Sequence, residues 1–154
     1  MKKMIFTALF LSFLLFGSST KWEDLPPDNM DYHNETRDGI SYTAFTYLKA
    51  KKPYQSLFYE NIGKKTDTKT VKMAEIYYES GQLRIFIDYR NPEKITYREY
   101  YENGQLGAEI VNDQDMKKKL SAKYYNQKGK PIKEAEFNKL TGKPGNAKPN
   151  SAKK

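Results

Sequence analysis

The sequence predicts an all-β fold, an antiparallel β-hairpin repeat meander, and three observations carry that prediction. The string Tyr77-Tyr78-Glu79-Ser80-Gly81-Gln82-Leu83 returns 23 residues later as Tyr100-Tyr101-Glu102-Asn103-Gly104-Gln105-Leu106. A third, looser copy starts at Tyr124-Tyr125 and carries Gly129 one residue later than the others carry their glycine. Apolar and polar residues alternate around these glycines, which is the period of a half-buried strand. A unit copied at a fixed spacing of this size marks a repeat architecture, in which one supersecondary element packs on its own copies.

Each copy has the chemistry of a hairpin. Asn103-Gly104 between alternating residues fits a two-residue type I′ turn, which needs positive φ at both positions, and Ser80-Gly81 is a weaker form of it. Counting outwards sets Tyr78 against Leu83, Ile76 against Ile85 and Ala74 against Ile87 on one apolar face. The other face then holds Tyr77 against Arg84, Glu75 against Phe86 and Met73 against Asp88, a mixed surface suited to half-exposure. The second hairpin chooses the same faces, with Tyr101 against Leu106, Tyr97 against Ile110, and Arg98 against Glu109 as an opposite-charge pair. Glu99, against Ala108, breaks the apolar row. It is expected to be an edge or solvent-reaching carboxylate, the alternative being a carboxylate offered to a ligand.

The candidate binding residues are the tyrosines at the start of each copy, Tyr77, Tyr100 and Tyr124, with Phe86 beside them. Tyrosine combines apolar area with a hydroxyl at its tip, so such a row suits a ligand; it equally suits the repeat's own packing against its neighbours.

The repeat words, with the preceding Asp88-Tyr89-Arg90-Asn91, resemble the bacterial variant of the MORN repeat over residues 70 to 137. That resemblance implies three antiparallel hairpin repeats with no catalytic residues of their own. The family is often labelled as the antitoxin component of toxin-antitoxin modules, which implies as an alternative a chain that neutralises a partner toxin by direct contact. The chain departs from the family pattern at Pro92, where a glycine usually follows the asparagine, and lacks the Gly-x-Trp that commonly opens the next unit.

In chain order, residues 1 to 19 have the form of a cleaved export-signal helix: Lys2 and Lys3, an uncharged apolar run over residues 5 to 16, then Gly17-Ser18-Ser19, placing the mature start at Thr20. The apolar run is shorter than the ~20 residues a membrane span needs. Residues 20 to 39, broken by Pro26-Pro27, form an irregular lead-in, with the only histidine, His33, as an inert loop residue. Residues 40 to 69 form a divergent leading hairpin: alternating aromatic and β-branched residues from Ile40, a stop at Lys51-Lys52-Pro53, an echo of the repeat word near Gly63, and a polar connection over residues 64 to 69. The third hairpin, residues 117 to 137, is a charged closing edge, and residues 138 to 154 form a disordered basic tail.

The formal charge of +8 divides unevenly. Residues 20 to 138 hold 20 basic and 19 acidic side chains, while the tail adds five lysines and no acid. A near-neutral folded part argues against nucleic acid as a partner. It leaves the tail as a weak contact for anionic membrane or cell-wall polymer. The chain has no cysteine, so disulfides, thiolate chemistry and lipid attachment at an N-terminal cysteine do not arise. Neither a nucleophile with its base, a metal-ligand cluster nor a phosphate-binding loop stands out, and no cofactor is implied. The expectation is a non-enzymatic protein, periplasmic or secreted, that binds a protein partner or serves as a scaffold.

Overall fold

The computed structural model describes residues 29–142, which form nine strands and one helix: β1 (Met30–Arg37), β2 (Ile40–Lys49), β3 (Lys52–Ile62), β4 (Lys65–Tyr77), β5 (Leu83–Asp88), β6 (Lys94–Tyr100), β7 (Leu106–Asp113), β8 (Lys119–Tyr125), β9 (Pro131–Ile132) and α1 (Glu134–Leu140). Every strand pairs antiparallel with the next, so the order in the sheet is the order in the chain. The all-β antiparallel meander is therefore what the sequence predicts, in the form of one open sheet. The expected signal segment of residues 1 to 19 lies outside the described residues, as do residues 143 to 154 of the expected disordered tail; its first residues, Asn138, Lys139 and Leu140, instead belong to α1, which Phe137 anchors to the sheet.

Three boundaries differ from the sequence reading. Residues 30–37 of the supposed irregular lead-in are strand β1, whose side chains are mostly exposed, so no hydrophobic alternation announces it. What makes it a strand is the turn behind it: Asp38 and Gly39 both take positive φ (52° and 78°), the two-residue hairpin geometry that pairs Arg37 with Ile40. The polar connection at residues 64 to 69 is likewise the start of β4, a run rich in threonine that pairs with the end of β3. The closing edge strand is only Pro131–Ile132. Glu134, Glu136 and Phe137 instead lie on α1, with two acids in its first turn and Lys139 in its last, both favourable to the helix dipole.

The repeat turns also differ from a two-residue loop. In each, the glycine N–H donates to the carbonyl three residues back: Gly81 to Tyr78 (2.9 Å), Gly104 to Tyr101 (2.8 Å) and Gly129 to Asn126 (2.9 Å). The residue opening each loop donates to the carbonyl beyond the glycine, Tyr78 to Gln82, Tyr101 to Gln105 and Asn126 to Lys130. These are three-residue loops ending in a left-handed glycine, at φ 88°, 82° and 75°, with Asn103 itself outside the positive region. The third copy thus shares the turn of the first two. The longer loop shifts the register, so Tyr77 pairs with Leu83, and Tyr100 with Leu106, in place of Tyr78 and Tyr101. Further from the turn the predicted pairs hold: Ile76–Ile85, Ala74–Ile87, Glu75–Phe86, Tyr97–Ile110 and Arg98–Glu109.

The two faces of the sheet are buried over different strands. On one face Ala74, Ile76, Ile85, Ile87 and Ile95 pack together under Leu57, Tyr89, Tyr97 and Met116. The same face continues over β7 and β8, where Phe137 of α1 closes on Tyr101, Ala108 and Tyr124. On the opposite face, over β2 to β5, Tyr42, Ala44, Phe58 and Met73 form a second core with Phe86 beside it. That second core needs curvature. Arg37 of β1 reaches Glu75 of β4 (Nη1 to Oε1, 2.7 Å), and Arg90 reaches Asp38 in the β1–β2 turn (2.7 Å). Side chains project from the faces of a sheet and strands lie about 4.8 Å apart, so contacts across three or more strands need the sheet to bend. The leading strands therefore curl towards the second face, placing Arg37 over the Phe58 ring at 4.2 Å.

Candidate binding surface

The predicted row of tyrosines does not survive as a row. Aligned on their turn glycines, the equivalents of Tyr77 and Tyr100 are followed by Tyr125, and Tyr124 falls on the opposite face. It is buried there, its ring 5.4 Å from that of Phe137. Tyr77 and Tyr100 remain half-buried on the face that carries Glu75 and Arg98, with Phe86 opposite Glu75 and flanked by the second core. Phe86 is thereby largely a packing residue.

Tyr77 is also committed to its own neighbours. Its hydroxyl donates to Glu75 Oε2 and lies 3.3 Å from Ser56 Oγ, which in turn meets Thr46 Oγ1 at 2.9 Å. Glu75 accepts Arg37 Nη1, and Arg37 also bonds Glu35 and lies over the Phe58 ring at 4.2 Å. His33, expected as an inert loop residue, stands on β1 with Nε2 3.2 Å from Glu35. The network runs from β1 to β4 across the second face, and no local pattern announces it because its members are scattered over residues 33 to 77. Burial, and then the bond to Glu75, push the Tyr77 hydroxyl up to about 12, so at neutral pH it is a fixed donor. Burial alone would raise Glu35, but hydrogen bonds from Arg37 and His33 outweigh it and hold the carboxyl below its ordinary range. These groups neutralise one another. Such an arrangement fixes the curl of the sheet and offers no unengaged base.

The carboxylate that broke the apolar row behaves differently from expectation. Glu99 lies on a central strand and is 4% exposed, neither at an edge nor reaching solvent. The Tyr97 hydroxyl donates to it at 2.9 Å, and burial followed by that carboxylate raises Tyr97 well above the usual phenol range. A phenol held protonated beside a buried carboxylate supplies the donor the carboxylate needs in an apolar surrounding. Among the described residues every buried side-chain nitrogen or oxygen has a partner, and no group of three or more metal-ligating side chains converges.

The second tyrosine of each repeat word is what sequence reasoning underrated. Tyr78 donates its hydroxyl to the carbonyl of Tyr100 (2.8 Å), and Tyr101 donates to the carbonyl of Tyr125 (2.8 Å), so each turn is bonded to the strand that enters the next. Arg84 covers the Tyr78 ring at 5.6 Å. In the next repeat Gly107 takes the place of Arg84, and Phe137 from α1 lies against the Tyr101 ring at 6.1 Å instead. In the third copy Asn126 replaces the tyrosine and folds onto its own loop, accepting from the N–H groups of Lys128 and Lys130. The chain of bonds stops there. The 23-residue recurrence covers both tyrosines equally and would have flagged this role.

One aromatic group with an exposed member is on the leading strands, where Phe45 and Tyr59 are half-buried beside Tyr32. Tyr32 of β1 is 72% exposed, its ring 6.4 Å from Phe45 of β2, which meets Tyr59 of β3 edge-on at 5.6 Å. Tyr32 pairs with Phe45 and Phe45 with Leu57, so Tyr32, Phe45, Leu57 and Tyr59 form an apolar strip on the face opposite the ionic network. No protein-family model, curated protein or solved structure matches this chain.

Proposed function

We propose that this chain is an exported, non-enzymatic binding or scaffolding module of the MORN-repeat kind, working in the bacterial envelope by laying a sheet face on a protein partner. The observation that carries the reading is the strip of Tyr32, Phe45 and Tyr59. Tyr32 is exposed and Phe45 and Tyr59 beside it are half-buried, and large, stiff aromatic side chains so placed are the kind that anchor protein interfaces. The polar groups elsewhere support it, because the network around Glu75 and the Tyr97–Glu99 pair are saturated by their own neighbours. Export is supported by the basic start, apolar run and small residues of positions 1 to 19. Tyr100, half-buried on the other face, is the second place for contact.

Fractionation of the native host, with mass spectrometry of the mature N-terminus, tests the address; Thr20 as first residue in periplasm or medium is the expected result. Pull-down from that fraction tests the surface. Tyr32→Ser should abolish capture of whatever specific partner the unaltered chain retains, with melting unchanged, and Phe45→Ser should do the same while keeping the β-sheet spectrum, at a modest loss of melting temperature because Phe45 is half-buried. Undiminished capture by these variants, and by Tyr100→Ser, would remove both surfaces from consideration.

A further inference from the structure

We infer that β1 is a self-complementary edge through which two copies of this chain join, antiparallel and with Asn34 facing its own copy, into one continuous sheet. The two ends of the sheet are unlike. β9 is two residues long, contains Pro131 and runs straight into α1, all features that blunt an edge. β1 is eight residues long, unbroken by any bulge against β2, and contains no proline, glycine or lysine. Among the described residues no strand lies on its outer side.

The hairpin fixes which groups face outwards. Arg37 and Ile40 close a two-residue turn, so the backbone groups of residues 37, 35, 33 and 31 bond to β2. Those of Thr36, Asn34 and Tyr32 point away from it. The Tyr32 N–H is taken up by its neighbour's side chain, Asp31 Oδ1, at 2.8 Å, as befits a donor with no strand beside it. A second strand on this side would satisfy all three residues at once.

Charge then selects one register. Asp31, His33, Glu35 and Arg37 share one face and alternate acid with base. Pairing about Asn34 sets Asp31 against Arg37 of the second copy and His33 against Glu35, each contact occurring twice because the interface is two-fold. These are the pairs without mutual backbone hydrogen bonds, where facing side chains come closest, at a Cα separation of about 4.5 Å. The next registers that keep the same faces together are two residues away in sum. One, centred on His33, sets Asp31 against Glu35; the other, centred on Glu35, sets Glu35 against itself and His33 against Arg37. Both juxtapose like charges. Arg37 already serves Glu35 and Glu75, and its five N–H donors leave room for a further carboxylate. On the other face Tyr32 meets Thr36 of the second copy, which carries the surface of the sheet across the seam. The edge adjoins the proposed binding surface only at Tyr32, since Phe45, Tyr59 and Tyr100 lie on interior strands.

The test uses the full 154-residue chain. Light scattering at micromolar concentration should give twice the chain mass. Asp31→Arg, which sets arginine against Arg37 twice, should weaken the dimer at least about tenfold while leaving the β-sheet spectrum and melting temperature in place. Thr36→Pro, which removes an outward N–H without touching the β1–β2 ladder, should do the same, so that the two variants check each other's folding. The chain lacks cysteine, so Asn34→Cys supplies a single thiol. Facing Cα atoms about 5.5 Å apart lie within disulfide range, and mild oxidation should link the copies nearly completely, while Lys130→Cys at the opposite edge should not link. A monomer at these concentrations, a dimer indifferent to both edge variants, or equal cross-linking at residues 34 and 130 would each overturn the inference.

Discussion

Phe137→Ala is the perturbation that tests most directly how the array is closed. Phe137 is 2% exposed and is the buried residue of α1, a helix of seven residues. Its ring lies 6.1 Å from Tyr101 and 5.4 Å from Tyr124. Burying a phenylalanine side chain stabilises by about 1.5–3 kcal/mol, and each aromatic pair adds about 0.5–1.5 kcal/mol. Core truncations of this type cost about 3–5 kcal/mol, and the low end, about 3 kcal/mol, is expected at the end of a sheet where solvent can enter. A helix this short does not hold in water unaided, so losing its anchor should release α1 as well. Urea unfolding followed by circular dichroism gives the energy, and hydrogen exchange at residues 134–140 reports the helix. A loss under about 1 kcal/mol, with helix amides still protected, would refute the view that Phe137 closes the repeat core. A companion sharpens it. A Cβ at Gly107 would lie 2.9 Å from Phe137 Cε2 and 3.0 Å from Tyr101 Cε2, so Gly107→Ala should cost about 1 kcal/mol in the native chain. In the Phe137→Ala background that cost should fall, because one of the two clashing rings is gone and the Tyr101 ring gains room to give way.

Tyr101→Phe removes the hydroxyl bonded to the Tyr125 carbonyl and should cost about 1 kcal/mol in urea denaturation, with a similar loss for Tyr78→Phe at its bond to Tyr100. Arg37→Met keeps a flexible side chain over Phe58 but leaves Glu75, which is 8% exposed, without its cation; a loss of about 3 kcal/mol is expected, and Glu75→Gln added to it should recover part of that loss. On the acid side, Glu35 and Asp88 are drawn below their ordinary values of 4.5 and 3.8 by their arginines, against the opposing pull of burial. Carboxyls depressed in the fold contribute stability above those values and lose it as pH falls through the lower folded ones, so the urea midpoint should drop below about pH 4 and drop less in Arg90→Gln. On the alkaline side, burial raises Tyr89, and burial with Glu75 raises Tyr77, from 10.0 to about 12. A phenol raised in the fold contributes fully below 10.0 and is lost as pH climbs towards 12, so stability should fall over that interval and the buried tyrosines' share of the ultraviolet phenolate absorbance should appear together with unfolding.

The legible parts of this chain were those with local causes. A strand pattern of period 2 and a glycine in a tight loop act within a few residues, so the recurrence at 23 residues was enough to find four central strands, their faces, and pairs such as Ala74–Ile87 and Arg98–Glu109. The turn type was missed by one residue, and that error alone misplaced the tyrosines next to each glycine. β1 was missed because an exposed edge strand has no apolar rhythm, although Asp38-Gly39 was in view. α1 was missed because its charges suit a solvated edge as well as a short helix.

The amino-acid order by itself determined the all-β class and the repeated hairpin, since both follow from interactions between near neighbours along the chain. Only the tertiary structure decided where the sheet curls, which tyrosine is buried, that Glu99 sits inside with a phenol to satisfy it, and that Phe137 occupies the space Gly107 leaves. Each of these depends on residues far apart in sequence meeting in space. A pattern of period 2 says which side of a strand faces inward, but not what arrives to cover it.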